Sequence, residues 1–341
     1  MQEKKLRSEE EMTYSEKLKE TNNDEKAPVG DDPALPLISI VIPVYNESHV
    51  IAGTLKETLQ VLLSISQQYE ILIIDDGSTD GTWETVSAIS QHNHNIKMIR
   101  FSRNFGKEAA VLAGLKFSRG KAVVVMDGDL QHPPALLPKM FHLWKEENYH
   151  VVHGVKTSRQ KETAVKGLFV RLFYAAMTLL SGYNLKQATD FKLLDRRVVD
   201  HYVALPENVR FFRGLVPWLG FRNASVSFFP DNRVGGNSKW SQFSLVTLAV
   251  RAICSFSSLP MQVVTFMGGI MFTASILLGI QTLFMKLSGR AVEGFTTVIL
   301  LLLFIGSILM ISLGIMGQYL AMIYEEIKGR PPFIIEKMEN L

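Results

Sequence analysis

Two carboxylates separated by one glycine follow an apolar run near the middle of the chain. Asp127 and Asp129 flank Gly128, directly after the run VVVM at 123–126. Such a run predicts a buried parallel strand, and open α/β sheets bind ligands at the carboxyl ends of their strands. Hard carboxylate oxygens at this place suit Mg²⁺ or Mn²⁺ held together with a diphosphate. We expect Asp127 and Asp129 to hold such an ion, with Gln131 completing its shell because alternate residues of an extended chain share a face.

Two earlier apolar runs predict the strands that accompany this site. They lie at 37–43 and 71–74, and the second ends in the acidic segment DDGSTDGT at 75–82. Helical stretches at about 50–66 and 82–90 follow them, and this alternation predicts a parallel doubly wound sheet. The chain has no G-x-G-x-x-G after its first strand, which disfavours a dinucleotide dehydrogenase, and it has no Walker A lysine loop.

Composition narrows the class of protein further. The chain has 341 residues, a net charge of +3 and a single cysteine, Cys254. This charge gives no indication of nucleic-acid binding, and one cysteine allows no disulfide framework, which fits a reducing compartment. Residues 1–34 are charged and poor in large apolar side chains, so we expect a disordered tail and no signal peptide.

Two long segments near the C-terminus are apolar enough to cross a membrane. Residues 260–285 and 294–324 contain no charged side chain, and each exceeds the roughly 20 residues that span a bilayer core. We expect spans at 260–287 and 294–324, preceded by an interfacial amphipathic helix at 241–259. Two spans return the chain to its starting side, so the N-terminal domain and a C-terminal tail at 325–341 are both expected in the cytoplasm.

Six motifs together resemble family 2 glycosyltransferases of the GT-A fold. More narrowly, the chain resembles the polyprenyl-phosphate hexosyltransferases of the dolichol-phosphate mannose synthase group, and within it the bactoprenol glucosyltransferases of the GtrB type. The resemblance runs from about residue 37 to the end of the chain. The motifs are VIPVYNE at 41–47, IDDGSTDGT at 74–82, RNFGK at 103–107, DGDLQ at 127–131, TDF at 189–191 and RVGGNSKW at 233–240.

The resemblance implies an α/β fold: a GT-A, Rossmann-like nucleotide-sugar domain at 35–240, then the interfacial helix and two transmembrane helices. It also implies which residues contact the nucleotide sugar. This set comprises Pro43, Tyr45, Glu47, Asp76, Lys107, Asp127, Gly128, Arg233 and Lys239.

The resemblance implies two catalytic residues, Asp190 and Asp129. In the family the position of Asp190 is that of a candidate base or of a residue that orients the acceptor. A phosphomonoester has a second pKa near 6 and is already largely nucleophilic at pH 7. A strong base is therefore less necessary, and Asp190 either takes a proton, orients the acceptor or stabilises positive charge at the anomeric carbon.

Three cations are expected to receive the acceptor phosphate: Lys156, Arg159 and Arg171. Attraction of these side chains to anionic lipids is an equally good interpretation. The family usually carries a Gly-x-Arg pattern where this chain has Gly154-Val155-Lys156. Lysine offers a point charge instead of a bidentate fork, so the phosphate contact differs here.

The reaction implied is inverting transfer of glucose from UDP-glucose to undecaprenyl phosphate, dependent on Mg²⁺ or Mn²⁺, at the cytoplasmic face of the inner membrane. A homo-oligomer, such as a tetramer, is also implied. The same reaction with a GDP-mannose or UDP-aminoarabinose type of donor stays open. A processive polysaccharide synthase is disfavoured because the segment 210–214 lacks the Gln-x-x-Arg-Trp motif. A transport subunit is disfavoured because the two spans contain no carboxylate.

Overall fold

The fold was analysed in a computed structural model that describes residues 36–129, 131–156, 188–208, 210–228, 259–288 and 294–341. Several expectations lie outside these residues. They are the tail at 1–34, the interfacial helix at 241–258, and the cations Arg159, Arg171, Arg233 and Lys239.

One eight-stranded sheet organises the N-terminal domain, in the order β7-β5-β6-β4-β1-β2-β3-β8. Four adjacent strands, β4, β1, β2 and β3, run parallel to one another. The sheet is mixed beyond them, because β6 runs antiparallel to β4 and to β5. The strands are β1 (Ile38–Val44), β2 (Tyr69–Asp75), β3 (Ile96–Phe101), β4 (Ala122–Val125), β5 (Val151–Lys156), β6 (Ala188–Asp195), β7 (Asn223–Phe228) and β8 (Ile335–Glu339).

Helices cover both faces of the sheet. The described helices are α1 (Ile51–Ile65), α2 (Thr82–Ser90), α3 (Lys107–Phe117), α4 (Leu137–Lys145), α5 (Arg196–Ala204), α6 (Phe212–Trp218), α7 (Leu259–Leu287) and α8 (Phe295–Ile327). One apolar cluster packs α1, α2 and α4 on one face, and a second packs α3, α5 and α6 on the other. Because both faces are covered, β1 and β2 are buried along their whole length and read as continuous apolar runs.

The expected α/β architecture is therefore confirmed, and so is its parallel part. The doubly wound pattern alone did not indicate the antiparallel strand β6, which carries Asp190. The first strand also extends one residue further than its apolar run. Pro43, the last residue of the predicted run, lies within this strand and pairs in register with Ile74.

The last strand of the sheet comes from the far end of the sequence. Residues 325–341 were expected only to form a tail, but β8 pairs antiparallel with β3, with Arg100 opposite Lys337. The ring of Phe333 stacks on Phe101 at 5.0 Å between centroids. The chain therefore returns, after its two long helices, to the edge of the N-terminal domain.

The two long helices expose their apolar side chains. Segments Val264–Gln281 of α7 and Phe304–Ile327 of α8 are long and apolar enough to cross a membrane. Phe266 and Phe284 are each 71% exposed in the isolated chain. A continuous exposed apolar surface of this kind marks contact with lipid or with another protein surface. The helices therefore fit the expected transmembrane spans.

The backbone conformation at position 77, just after β2, requires glycine. Its φ is +70°, and a Cβ at this position would lie 2.5 Å from the carbonyl carbon of Arg103.

We expect Gly77→Ala to destabilise the protein by about 1–3 kcal/mol, because both the left-handed backbone and the contact are unfavourable. Urea unfolding of the detergent-purified protein measures this loss. The matched control is Gly53→Ala in α1, where nothing lies within 4 Å of the added Cβ and where alanine should stabilise the helix by about 1 kcal/mol. Equal effects of the two substitutions on the free energy of unfolding would contradict the requirement for glycine at position 77.

Candidate active site

The loops that follow β1 and β2 are joined by side-chain hydrogen bonds at the carboxyl edge of the sheet. The backbone N–H of Asn46 donates to Ser78 Oγ at 2.9 Å, and Thr79 N–H donates to Asn46 Oδ1 at 2.8 Å. Asn46 adopts a φ of 55°, a conformation that asparagine tolerates better than most residues. These contacts hold the segment around Tyr45, whose ring is 39% exposed and accessible to a nucleotide base.

Asp76 joins the β2 loop to the start of α3. Its carboxylate accepts the N–H groups of Phe105 at 2.6 Å and Gly106 at 2.9 Å. Burial raises the pKa of Asp76, while these two backbone hydrogen bonds act in the opposite direction. Asp76 thereby fixes the position of Lys107, the first residue of α3. Contact of Asp76 with a nucleotide stays a prediction, since its two oxygens already have these partners.

The Asp127–Gln131 turn is held through its backbone. The N–H of Asp127 donates to His132 Nδ1 at 2.9 Å, and the carbonyl of Gly128 accepts from Thr54 Oγ1 at 2.6 Å. Gln131 donates its backbone N–H to Asp129 Oδ1 at 3.1 Å. These bonds fix the two carboxylates relative to the end of β4.

His132 itself is a positioning residue in this turn. Its ring is buried and stacks on Phe191, with 5.0 Å between centroids. Burial lowers its pKa, so the ring is neutral and Nδ1 is an acceptor for the Asp127 N–H.

Glu47 approaches the same turn from the β1 loop. A Cβ at position 128 would lie 2.9 Å from Glu47 Oε2 and 3.1 Å from Val44 Cγ1. Glycine between the two aspartates therefore allows the Glu47 carboxylate to lie against the turn. The structure thus brings Glu47, Gly128 and the aspartate pair together, as their motifs predict.

Strand register places Asp190 beside this turn. Val125 of β4 pairs with Lys192 of the antiparallel strand β6. Continuing that register by two residues brings Asp190 opposite Asp127. The side chain of Lys107 bridges the two, with Nζ at 2.6 Å from Asp127 Oδ1 and 2.6 Å from Asp190 Oδ2. Three sequence motifs therefore converge on a single cluster of charges.

Arg213 completes this cluster from the start of α6. Its Nε and Nη2 lie 2.7 and 2.8 Å from the two oxygens of Asp190, which is the bidentate arrangement of an arginine–carboxylate pair. Burial alone would raise the pKa of Asp190, but Arg213 and Lys107 together hold it well below its usual range. Asp190 is therefore ionised at any physiological pH.

Glu108 links α3 to α6 beneath the cluster. Its carboxylate accepts the backbone N–H of Phe212 at 2.9 Å, one residue before Arg213. Burial raises the pKa of Glu108 to about 7, and Asp190 adds to the rise. The nearby Lys192 has its pKa lowered to about 8 by burial. Its Nζ donates to the carbonyl of Thr189 at 2.8 Å.

The donor set fits a divalent ion that is shared with a ligand. Across the described ranges, no group of three or more His, Cys, Asp or Glu side chains forms a ready metal cage. Asp127 and Asp129 supply carboxylate oxygens and leave the remaining coordination positions to diphosphate oxygens and water. This is how Mg²⁺ is usually bound at phosphate-transfer sites. A metal contact from the side chain of Gln131 stays a prediction.

The remaining predicted site residues are more scattered. Lys156 lies exposed at the end of β5. Sequence reasoning missed Arg213 and Glu108 as site residues. A signal for Arg213 existed, because it is a lone cation in the otherwise apolar helix FRGLVPW.

The pKa of Glu108 predicts a pH-dependent stability. A carboxyl whose pKa is raised to about 7 in the folded protein stabilises the fold below its ordinary value of 4.5 and loses that contribution as pH rises through 7. We expect Glu108→Gln to increase the free energy of unfolding by about 1–3 kcal/mol at pH 8 and to change it little at pH 5. Urea unfolding at the two pH values measures this. Glu57→Gln on the exposed face of α1 is the control and should shift stability equally at both. A pH-independent effect of Glu108→Gln would contradict the proposed titration.

The chain is similar in sequence to a known protein family. The model of glycosyl transferase family 2 matches residues 39–203, a range that contains the acidic strand ends and Asp190. One solved structure with a similar fold is glucosyl-3-phosphoglycerate synthase from Mycobacterium tuberculosis, in complex with Mn²⁺, UDP and phosphoglyceric acid. It is 20% identical, with a TM-score of 0.49 over 65% of this chain and 77% of that chain.

Relatives match most of this chain and nearly all of their own length. A glycosyltransferase of Synechocystis sp. described as uncharacterized is 37% identical over 306 residues, covering 89% of this chain and 96% of the relative. The bactoprenol glucosyl transferase of Shigella phage SfII is 32% identical over 302 residues, covering 88% of this chain and 97% of the relative. Identity of this level over almost the full length of both chains shows common descent, and the chain belongs to glycosyl transferase family 2.

Proposed function

We propose that this chain transfers glucose from UDP-glucose to a polyprenyl phosphate such as undecaprenyl phosphate, with inversion at the anomeric carbon. The observation that carries the proposal is the cluster of Asp127, Lys107, Asp190 and Arg213 in a chain that also has two apolar helices. The cluster suits a diphosphate donor, and the helices suit an acceptor that resides in the bilayer. The name of the phage relative, a bactoprenol glucosyl transferase, supports the same acceptor class.

The donor binds across the loops that follow β1, β2 and β4. Tyr45 packs on the base, and Glu47 accepts from ribose or sugar hydroxyl groups. Asp127 and Asp129 would hold Mg²⁺ or Mn²⁺, and such an ion would supply positive charge to the leaving diphosphate. Lys107, already between Asp127 and Asp190, adds a fixed positive charge at the same place.

The transfer step forms one bond and breaks one. An oxygen of the acceptor phosphate attacks the anomeric carbon from the face opposite UDP. The bond between that carbon and the diphosphate oxygen breaks, and UDP leaves with the electron pair, so that the product is the β-linked lipid phosphate sugar. No proton has to be removed from the acceptor at neutral pH, because a phosphomonoester is then largely dianionic.

Asp190 acts in this step as a fixed anion. Its depressed pKa makes it a poor proton acceptor, whereas its charge stabilises the positive character of the anomeric carbon. Lys156 is assigned to the acceptor phosphate because it ends β5, which runs in the same direction as β4, so both strands end at the same edge of the sheet. Arg159 and Arg171 are assigned to the acceptor phosphate as cations of the sequence, and Arg233 and Lys239 to the donor on their motif alone.

The two apolar helices anchor the enzyme in the cytoplasmic membrane as a multi-pass protein. β8 follows the second helix and joins the same sheet as the N-terminal domain. Both ends of the helix pair are therefore on one side, which we assign to the cytoplasm, where UDP-glucose is available. A homo-oligomer is part of the proposal through family resemblance.

A transfer assay on detergent-purified protein tests the reaction. We expect label from UDP-glucose to enter the lipid phase when undecaprenyl phosphate is present, and EDTA to abolish the transfer. GDP-mannose and UDP-aminoarabinose offered in parallel identify the donor. Asp127→Asn should lower kcat by at least about 100-fold, because the diphosphate charge is then poorly neutralised. Asp200→Asn on exposed α5 is the control and should retain normal transfer. Undiminished transfer in EDTA would contradict the metal role, and no transfer from any donor would contradict the acceptor.

Arg213 should determine how activity depends on pH. In Arg213→Gln the bidentate ion pair with Asp190 is lost, so the pKa of Asp190 rises and its charge is lost at mildly acidic pH. We expect kcat to fall about 10–100-fold at pH 7 and more steeply than wild type towards pH 5, with the KM for donor nearly unchanged.

One control variant accompanies the pH profile of Arg213→Gln. Arg197→Gln, on the exposed face of α5, should have the wild-type profile. The acceptor phosphate titrates equally in all three proteins, so only the difference between the curves reports on Asp190. Superimposable profiles for wild type and Arg213→Gln would show that the ion pair does not set the charge of Asp190.

A further inference from the structure

One arginine, Arg100, joins the C-terminal strand β8 to the loop that follows β2. Arg100 lies near the end of β3, opposite Lys337 of β8. Its Nε is 3.5 Å from Glu336 Oε2 on β8 and 3.7 Å from Asp75 Oδ2 at the end of β2. Its Nη2 donates to the carbonyl of Ser78 at 3.0 Å. One guanidinium therefore contacts both the C-terminal strand and the loop that follows β2.

The loop after β2 depends on this guanidinium because Arg100 contacts both Asp75 and Ser78, whose hydrogen bonds shape the loop. Asp75 is buried, and its Oδ1 accepts the N–H of Ser78 at 2.9 Å. Burial raises the pKa of Asp75, and Arg100 opposes that rise. Ser78 Oγ in turn accepts the N–H of Asn46, next to Tyr45. A change in the position of Arg100 would therefore move the backbone of both loops.

β8 is fixed to the sheet edge at several other points. Ser102 N–H donates to the carbonyl of Ile334 at 3.0 Å, and Ser87 Oγ donates to Glu339 Oε2 at 2.9 Å. Asn340 Nδ2 donates to the carbonyls of Ser90 at 3.2 Å and Ile96 at 3.0 Å. The Phe333 ring stacks on Phe101. The strand is thus an ordered part of the domain, held on both β3 and α2.

We propose that Arg100 is a positioning residue for the nucleoside diphosphate and that β8, through Glu336, fixes the arginine in the required orientation. This inference rests on the proposed function, in that the loops after β1 and β2 bind the nucleotide. It adds that donor binding depends on a segment encoded after the second apolar helix. Neither Arg100 nor Glu336 contacts the nucleotide in this account, and both act through Asp75 and Ser78.

The test measures nucleotide affinity separately from catalysis. UDP binding in the presence of Mn²⁺ is measured by calorimetry on the full-length protein in detergent. We expect Arg100→Gln to weaken UDP binding about 10-fold, in the range of a lost hydrogen bond from a charged group. Glu336→Gln should weaken it about 2- to 4-fold, since Glu336 is half exposed and its ion pair is screened. The donor KM should rise in parallel, while kcat and the acceptor KM stay near wild type.

Glu325→Gln is the matched control. It makes the same chemical change near the C-terminal end of α8, where Glu325 pairs with Lys328. It should bind UDP as wild type does. Hydrogen exchange of the amides at 75–82 provides a second readout. It should quicken in Arg100→Gln and Glu336→Gln but not in Glu325→Gln.

The outcomes separate this inference from the proposed function. If wild-type protein binds neither UDP nor GDP, the proposed function fails and this inference fails with it. If wild type binds UDP and Arg100→Gln binds equally well, the proposed function stands and the positioning role is wrong. If Arg100→Gln lowers kcat with an unchanged UDP affinity, the role is also wrong. Parallel loss of affinity in the Arg100 and Glu336 variants, with Glu325→Gln unaffected, supports it.

Discussion

The charge balance around Asp190 is the constraint on which the site depends. Asp127 and Asp190 are brought together by the β4–β6 register, and two carboxylates at such close quarters repel each other unless cations lie between them. Lys107 and Arg213 supply those cations from two different helices. The positions of α3 and α6 are therefore tied to the chemistry, and Glu108 adds a direct hydrogen bond between these helices.

Acidic side chains at the end of β2 accept hydrogen bonds from backbone N–H groups. Asp75 accepts from Ser78, and Asp76 accepts from Phe105 and Gly106. A carboxylate that is fixed by backbone donors loses little conformational freedom when substrate arrives, so part of the ordering cost is met during folding. Asp76, which the family resemblance assigns to the nucleotide sugar, thus also helps to build the loops. Substituting Asp76 affects both functions, which is why positioning residues such as Arg100 and Arg213 give cleaner tests.

Much of this arrangement was predictable from the sequence, and the reasons for the exceptions are physical. The parallel strands and the first helices follow from local apolar runs, and α2 was predicted at 82–90, its observed bounds. Asp127, Lys107 and Asp190 were each identified by motif, but their mutual ion pairs depend on strand register and helix placement that no local pattern contains. The ion pair of Arg213 with Asp190 joins residues 23 positions apart in sequence, so no local pattern contains it. β8 was missed because five residues with alternating charge, IEKME, read as a solvated tail and become a strand only against the open edge of β3.

The N-terminal domain includes a strand, β8, that follows the two apolar helices in sequence. The sequence motifs place the whole nucleotide-sugar domain at 35–240, before the first apolar helix. A chain that ends before the first apolar helix also lacks β8, so the backbone of β3 and the ring of Phe101 lose their cover. An uncovered edge strand favours association with other chains. The membrane segment is therefore followed by a structural part of the catalytic domain, and the domain is complete only when the whole chain has folded.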